Sequence, residues 1–250
     1  MEPIGSSYPS RPRARVGAVV PVLNEAEAIG GVVEGLLAHG ADIVIVVDGN
    51  SSDGTAARAA AAGAHVVLEA RRGYGRAIMS GIAALPPEIG IVLFFDGDGC
   101  DRTELVPLLL APIINGTADY AMGSRLSGAR EPGSLGSAQV VAGHLAGLLI
   151  CAFYGVRFTD MSPFRALRRD TLATLGMQDE TFGWNLEMQM RVAAAGLRIV
   201  EIPVGQRRRQ GGVSKVSGDV RVALRAAWVI ARTFLRLAQS LPRRRPIPHE

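Results

Sequence analysis

Five apolar residues, Ile91 to Phe95, run straight into Asp96-Gly97-Asp98. A run of that kind reads as a strand buried on both faces. Two acids side by side at the end of a buried strand need compensation, because desolvating like charges is costly. At the carboxyl end of a strand, residues i and i+2 aim at the same place. Asp96 and Asp98 therefore converge on one hard cation, and Gly97 lets a ligand come close to the backbone. The bland alternative is a turn built from Asp and Gly. A cation held by one or two carboxylates completes its shell with water and substrate phosphates, so the pair points to a phosphate-bearing substrate.

Other residues suit the same partner. Arg125 and Arg209 can grip phosphate oxygens with both prongs of the guanidinium, and Lys215 can act as a point charge. Lys215 is the single lysine among 27 basic residues. Glu25 and Asp48 have only acceptors, which suit the ring N–H groups of a base or the hydroxyls of a ribose. Asp48 could equally open an Asx turn. A metal-bound diphosphate is a good leaving group, stabilised by the metal and by arginines as its charge develops. That makes Asp98 catalytic as well as metal-binding. A base for an acceptor is best sought in Glu187, early in a helix, with Asp160 second. Asp53 reads as a helix N-cap, and Asp101-Arg102-Thr103-Glu104 resembles a capping box, which assigns Asp101 to the cap.

These residues must be held by a scaffold. The first half alternates apolar strands with helical segments, at Val16–Leu23, Ile43–Val47, His65–Leu68 and Ile89–Phe95. That pattern predicts an α/β fold with a mostly parallel sheet and helices on both faces. In such sheets ligands bind beyond the carboxyl ends of the strands. Glu25, Asp48, Asp96 and Asp98 all fall there. The second half predicts a strand into Gly123-Ser124-Arg125, a Gly/Ser-rich loop and an apolar helix from Ala138 to Tyr154. A loop and short strand over Asp160–Arg168 follow, then a helix from Trp184, a strand over Leu197–Val204, a basic loop and a final helix to Ser240.

Composition narrows the class. The chain has 250 residues, a formal charge of +4 and arginine clusters at Arg11–Arg15, Arg207–Arg209 and Arg243–Arg245. Such islands favour anionic ligands or an anionic surface over general nucleic-acid binding, and no basic-aromatic interleaving suggests base stacking. Two cysteines without metal spacing or a disulfide framework fit a reducing cytoplasm. The N-terminus lacks the apolar core of a signal peptide, and the apolar stretch near Val140–Phe153 is too short to span a bilayer. The expected location is cytoplasmic, with a peripheral position at the inner face of the plasma membrane.

Taken in order, Val20-Pro21-Val22-Leu23-Asn24-Glu25, the Asp48–Thr55 loop, Asp96-Gly97-Asp98, Gly123-Ser124-Arg125 and Arg209…Ser214-Lys215 resemble family 2 glycosyltransferases of the GT-A (Rossmann-like) fold. The branch they look most like is the dolichyl/polyprenyl-phosphate mannose synthases. The resemblance spans about residues 15–218. It implies that Pro21, Leu23, Glu25 and Asp48 bind the nucleoside of a nucleotide-sugar donor. It implies that Asp96, Gly97 and Asp98 carry its diphosphate on Mg2+ or Mn2+, and that Arg125, Arg209 and Lys215 meet phosphates of donor or acceptor. Leu23 stands where many relatives have Tyr. The segment ending in Glu187 keeps one acid where many relatives have adjacent acids. A single acid fits a phosphate acceptor, which is already an anion, and equally fits Glu187 acting alone on a hydroxyl.

The expected organisation is a disordered tail (1–14), a catalytic domain (15–216), an amphipathic helix (217–240) and a basic tail (241–250). The catalytic domain divides into a nucleotide-binding half to about residue 123 and an acceptor half after it. Arg221, Arg225, Arg232 and Arg236 fall within a stripe of about 60° on the last helix. A basic stripe beside apolar surface suits an anionic membrane interface. The same face would also serve packing on the domain or a homo-oligomer contact. The leading expectation is inverting, metal-dependent transfer of a hexose, from GDP-mannose or UDP-glucose, to a polyprenyl phosphate. The alternatives are a soluble hydroxyl acceptor with Glu187 as base, and a non-catalytic nucleotide-sugar-binding protein, against which the intact acids argue.

Overall fold

The computed structural model describes residues 14–209 and 220–242, with the side chains of 137–138 and 220–227 left out. The N-terminal tail, Lys215, the Arg221 and Arg225 side chains and the basic C-terminal tail lie outside the described residues.

The first part of the chain is built from β1 (Arg15–Val22), α1 (Ile29–Ala38), β2 (Ile43–Asp48), α2 (Thr55–Ala61), β3 (His65–Leu68), α3 (Tyr74–Ala84) and β4 (Ile89–Phe94). A short 3-10 turn, Thr103–Leu105, leads into α4 (Val106–Ile114), and β5 (Tyr120–Ser124) and α5 (Ser137–Tyr154) follow. The chain continues through β6 (Arg165–Arg168), α6 (Arg169–Leu175), α7 (Trp184–Ala195), β7 (Ile199–Pro203) and α8 (Val220–Ser240).

The strands form one seven-stranded sheet in the order β3-β2-β1-β4-β6-β5-β7. β6 runs antiparallel to both β4 and β5, and the other pairs are parallel. Alternation along β1 explains the two layers. Val16, Ala18, Val20 and Val22 face one core with Ile29, Leu36, Leu109 and Phe95. Val19 faces the other with Ile78, Ile150, Trp184 and Phe234. A sheet sandwiched this way must be apolar on both faces, and β4 obeys, with Ile91 to Phe95 all buried. The carboxyl ends of β1, β2 and β4 consequently share one edge.

The expected elements are found within a few residues of their predicted bounds. α6 was not anticipated, and the antiparallel placement of β6 carries no signal in a four-residue strand. α8 lies on the domain. Phe234 and Leu237 are buried, and the Phe234 ring meets Phe153 of α5 edge-on at 5.3 Å. Truncating a buried ring costs about 3 kcal/mol, whereas exposed positions stay within about 0.5 kcal/mol. Phe234→Ala is therefore expected to lower stability by about 3 kcal/mol in urea melts, and Leu235→Ala to leave it unchanged.

Candidate active site

Two loops are stitched together beyond the carboxyl ends of β1 and β2. The amide of Asn24, at φ 53°, donates to Ser51 Oγ at 2.8 Å, and the Ser52 amide donates back to Asn24 Oδ1 at 2.9 Å. The Glu25 amide donates to Thr55 Oγ1 at 2.9 Å. Asp53 accepts from the Thr55 amide two residues on and from the Ala26 amide, but Gly54, not Asp53, takes the N-cap position of α2, so the expected cap is instead an Asx turn that ties the two loops. Glu25 is thereby fixed at the end of β1. Asp48 is buried and accepts from the amide and hydroxyl of Ser51, three residues on, so it holds the loop after β2 without making the two-residue Asx turn. Pro21 pairs with Val47 in the sheet, and Leu23 lies over Gly49.

Asp96 and Asp98 leave β4 beside this edge. Tyr74, at the start of α3, donates its hydroxyl to Asp96 Oδ1 at 3.3 Å. Asp98 Oδ1 accepts from the Cys100 amide at 3.0 Å, and Asp98 Oδ2 accepts from Arg209 Nη1 at 3.2 Å. The other prong of Arg209 reaches both oxygens of Glu25. Gly97 has a packing reason of its own, since a Cβ there would lie 2.4 Å from Val22 Cγ1. Burial and the neighbouring Asp98 push the Asp96 carboxyl up to about 7. Two carboxylates with remaining lone pairs are a donor set for a hard divalent cation that takes its other ligands from water and phosphate. No cluster of three or more His, Cys, Asp or Glu metal ligands occurs among the described residues.

Asp101 departs from expectation. The 3-10 turn has Arg102 at its N-cap position and no side-chain cap bond. Asp101 is instead buried, and its Oδ1 has no hydrogen-bond partner among the described residues. Burial first, and Asp96 second, raise its carboxyl to about 8.

The structure joins Arg125 and Asp160, which the sequence suggested for separate tasks. Arg125 donates through its amide, Nε and Nη2 to Asp160 at 2.7–3.0 Å. Burial opposes both charges, but the paired hydrogen bonds outweigh it, raising the Arg125 pKa and lowering that of Asp160. The fork that would hold a phosphate is spent on Asp160 in this state. Glu187 is 0% exposed, and its carboxylate accepts from the amides of Gln178 and Asp179 and from Arg191 Nε. This geometry makes Glu187 the organiser of the 178–183 loop, away from the role of a solvent-accessible base. Lys215 lies outside the described residues.

The 178–183 loop was missed as part of the site. It packs on the Arg71–Arg76 loop, where the Gly75 amide donates to Thr181 O and the Arg76 amide to Glu180 O. A Cβ at Gly75 would lie 1.9 Å from Asp179 O, so the two loops touch backbone to backbone. Tyr74 stacks on Phe182, with ring centroids 6.4 Å apart. Asp179 is tied to α8 through Thr233 Oγ1 at 2.9 Å and Arg236 Nη2 at 3.3 Å. The only signal for this in the sequence was a Gly-Tyr-Gly between arginines.

Asp96 and Asp98 thus stand with Glu25 and Arg209 at the carboxyl edge of a mostly parallel sheet. The profile of glycosyl transferase family 2 matches residues 18–176, and the chain belongs to that family. It is 37% identical over 221 residues to an uncharacterised glycosyltransferase of Mycobacterium tuberculosis, covering 86% of this chain and 97% of the relative. It is 30% identical to the undecaprenyl-phosphate mannosyltransferase of Micrococcus luteus, covering 82% of this chain and 89% of the relative. Among solved structures, glucosyl-3-phosphoglycerate synthase of M. tuberculosis, in complex with Mn2+, UDP and glucosyl-3-phosphoglycerate, superposes with a TM-score of 0.71. That match is 22% identical and covers 92% of this chain and 81% of the other. The fold is GT-A, and the protein is a glycosyltransferase.

The raised carboxyls give the metal-free protein a pH signature. Asp96 and Asp101 bind a proton more tightly folded than unfolded, so they stabilise the fold at acid pH. That contribution is lost as pH rises through about 7 to 8. Thermal melts in EDTA are expected to show stability falling from about pH 4 to pH 8 and levelling above that, and Asp101→Asn is expected to flatten the fall.

Proposed function

We propose that the protein transfers a hexose from a nucleotide diphosphate sugar to a polyprenyl phosphate at the cytoplasmic face of a membrane. In this reading Glu25 and Asp48 face the nucleoside, and Asp96 and Asp98 hold a Mg2+ or Mn2+ ion. The metal, when bound, neutralises charge on the departing diphosphate. Arg209 adds a guanidinium to the same phosphates.

The observation that carries the acceptor class is the outer face of α5. Val141, Leu145 and Leu148 are each 56% exposed, and Leu149 is 44% exposed. Spaced i, i+4, i+7 and i+8, they form one apolar stripe. Adjoining α8 adds Trp228, 60% exposed, and Leu235, 62% exposed, with Arg232 over the Trp228 ring at 5.3 Å. Among the described side chains of α8, Phe234 and Leu237 pack on the domain, whereas Trp228 and Leu235 face outward. No helix among the described residues is long and apolar enough to cross a membrane. An apolar stripe with an amphipathic neighbour suits lying in an interface, where a lipid phosphate would be presented.

Glu187 supports the same choice. A hydroxyl acceptor needs a base, and the carboxylate offered for it is buried and engaged. A phosphate oxygen attacks without losing a proton. The undecaprenyl-phosphate mannosyltransferase among the relatives agrees with this acceptor class.

The test incubates the protein with Mn2+, labelled GDP-mannose or UDP-glucose, and vesicles carrying undecaprenyl phosphate. Labelled lipid is expected with one donor, and failure with both would count against the proposal. Leu145→Glu with Leu148→Glu is expected to cut transfer to vesicle-borne acceptor at least tenfold while leaving nucleotide binding intact. Glu187→Gln is expected to act through folding, lowering stability by about 2 kcal/mol in a melt, since it mismatches buried donors.

A further inference from the structure

Three arginines in a row follow β7 as a strap, and the guanidinium groups of two of them, Arg207 and Arg209, are paired with acids, while that of Arg208 donates to Pro132 O. Arg207 pairs with Glu104, Arg208 donates its amide to Glu131 Oε2 at 2.7 Å, and Arg209 spans Glu25 and Asp98. The strap backbone is fixed on both sides. The Arg207 amide donates to Cys100 O at 2.9 Å, and the Glu131 amide donates to Gln206 O at 2.9 Å. Cys100 lies two residues beyond Asp98, so strap and metal loop form one unit.

Arg209 differs from its neighbours in what it holds. Glu104 and Glu131 are ordinary surface acids. Glu25 and Asp98 are the two acids that the proposed function assigns to opposite ends of the donor, nucleoside and metal. A single guanidinium bridges both. It supplies one positive charge where a divalent cation would supply two, and it does so on the carboxylate of Asp98, one of the two acids that would hold the ion.

Resting on that functional reading, we propose that Arg209 is a built-in surrogate cation, holding Glu25 and Asp98 together in the empty enzyme and exchanged for metal and diphosphate jointly. A metal arriving alone must displace Arg209 from Asp98 and leave it beside a like charge. A metal arriving with a diphosphate gives the displaced guanidinium a phosphate to bind. The pinned strap means that the side chain turns while the backbone stays. Metal and nucleotide thus bind with mutual reinforcement, and the factor by which each strengthens the other is the same in both directions. The practical effect is a site that ignores free metal and assembles only around its donor.

The experiment is calorimetric and needs no turnover. Mn2+ is titrated alone, then with saturating UDP or GDP, into the wild type, Arg209→Gln, Arg209→Lys and Arg207→Gln, with melts confirming that each variant is folded. The wild type is expected to bind Mn2+ weakly alone and at least tenfold more tightly with one nucleotide. Arg209→Gln is expected to bind Mn2+ alone about fivefold more tightly than wild type and to bind the nucleotide with Mn2+ more weakly. Arg209→Lys should return free Mn2+ binding toward the wild-type value. Arg207→Gln, which removes the same charge from the same strap, should leave free Mn2+ binding unchanged. Unchanged or weaker Mn2+ binding in Arg209→Gln overturns the proposal, as does an equal gain in Arg207→Gln. If the wild type binds neither nucleotide with Mn2+, the donor-site reading itself falls, and this proposal with it.

Discussion

Like-charge crowding at one sheet edge governs this molecule. Asp96, Asp98, Asp101 and Glu25 sit within reach of one another's fields, and burial makes every uncompensated charge costly there. The structure meets the demand in two ways. It keeps Asp96 and Asp101 readily protonated, and it brings arginines in from distant parts of the chain. Arg125 compensates Asp160 from the end of β5, and Arg209 compensates Asp98 and Glu25 from the strap after β7. Through Arg209 the segment after β7 is thus bound to the ends of β1 and β4 by charge as well as by the sheet.

The fold supplies the geometry for this crowding. Parallel pairing of β2, β1 and β4 puts three carboxyl ends side by side, and short loops stitched by Asn24, Ser51, Asp53 and Thr55 leave the acids little room to separate. The antiparallel β6 then inserts between β4 and β5. This carries Asp160, which precedes it, back to the same edge. Glu187 and Asp179, one buried and one tied to α8, set the remaining wall.

Much of this was legible in the sequence. The strand into Asp96-Gly97-Asp98, the series of acids at strand ends and the family resemblance all depend on local pattern or short motif. They were readable because a doubly covered parallel strand must be apolar and a polar residue can appear only where it ends. The pairing of Arg125 with Asp160 was not legible, because an arginine poised for phosphate and one poised for a carboxylate have the same sequence. Glu187 looked catalytic because early-helix acids are common functional candidates, and only the fold shows that it is sealed against three donors. Asp101 fitted a capping pattern that the backbone then declined by starting its turn one residue later. Tyr74 and the 178–183 loop escaped because their partners are about a hundred residues apart.

The backbone contact between Gly75 and the 178–181 segment has a consequence for how this enzyme can change. With no side chain between them, neither loop can alter its path alone. A donor-side loop taken from a relative would arrive without the surface it was shaped against. The two segments therefore form one heritable module despite their separation in the chain, and α8, through Asp179, is fastened to the same module. Diversification of either loop is expected to proceed by concerted rather than independent substitution.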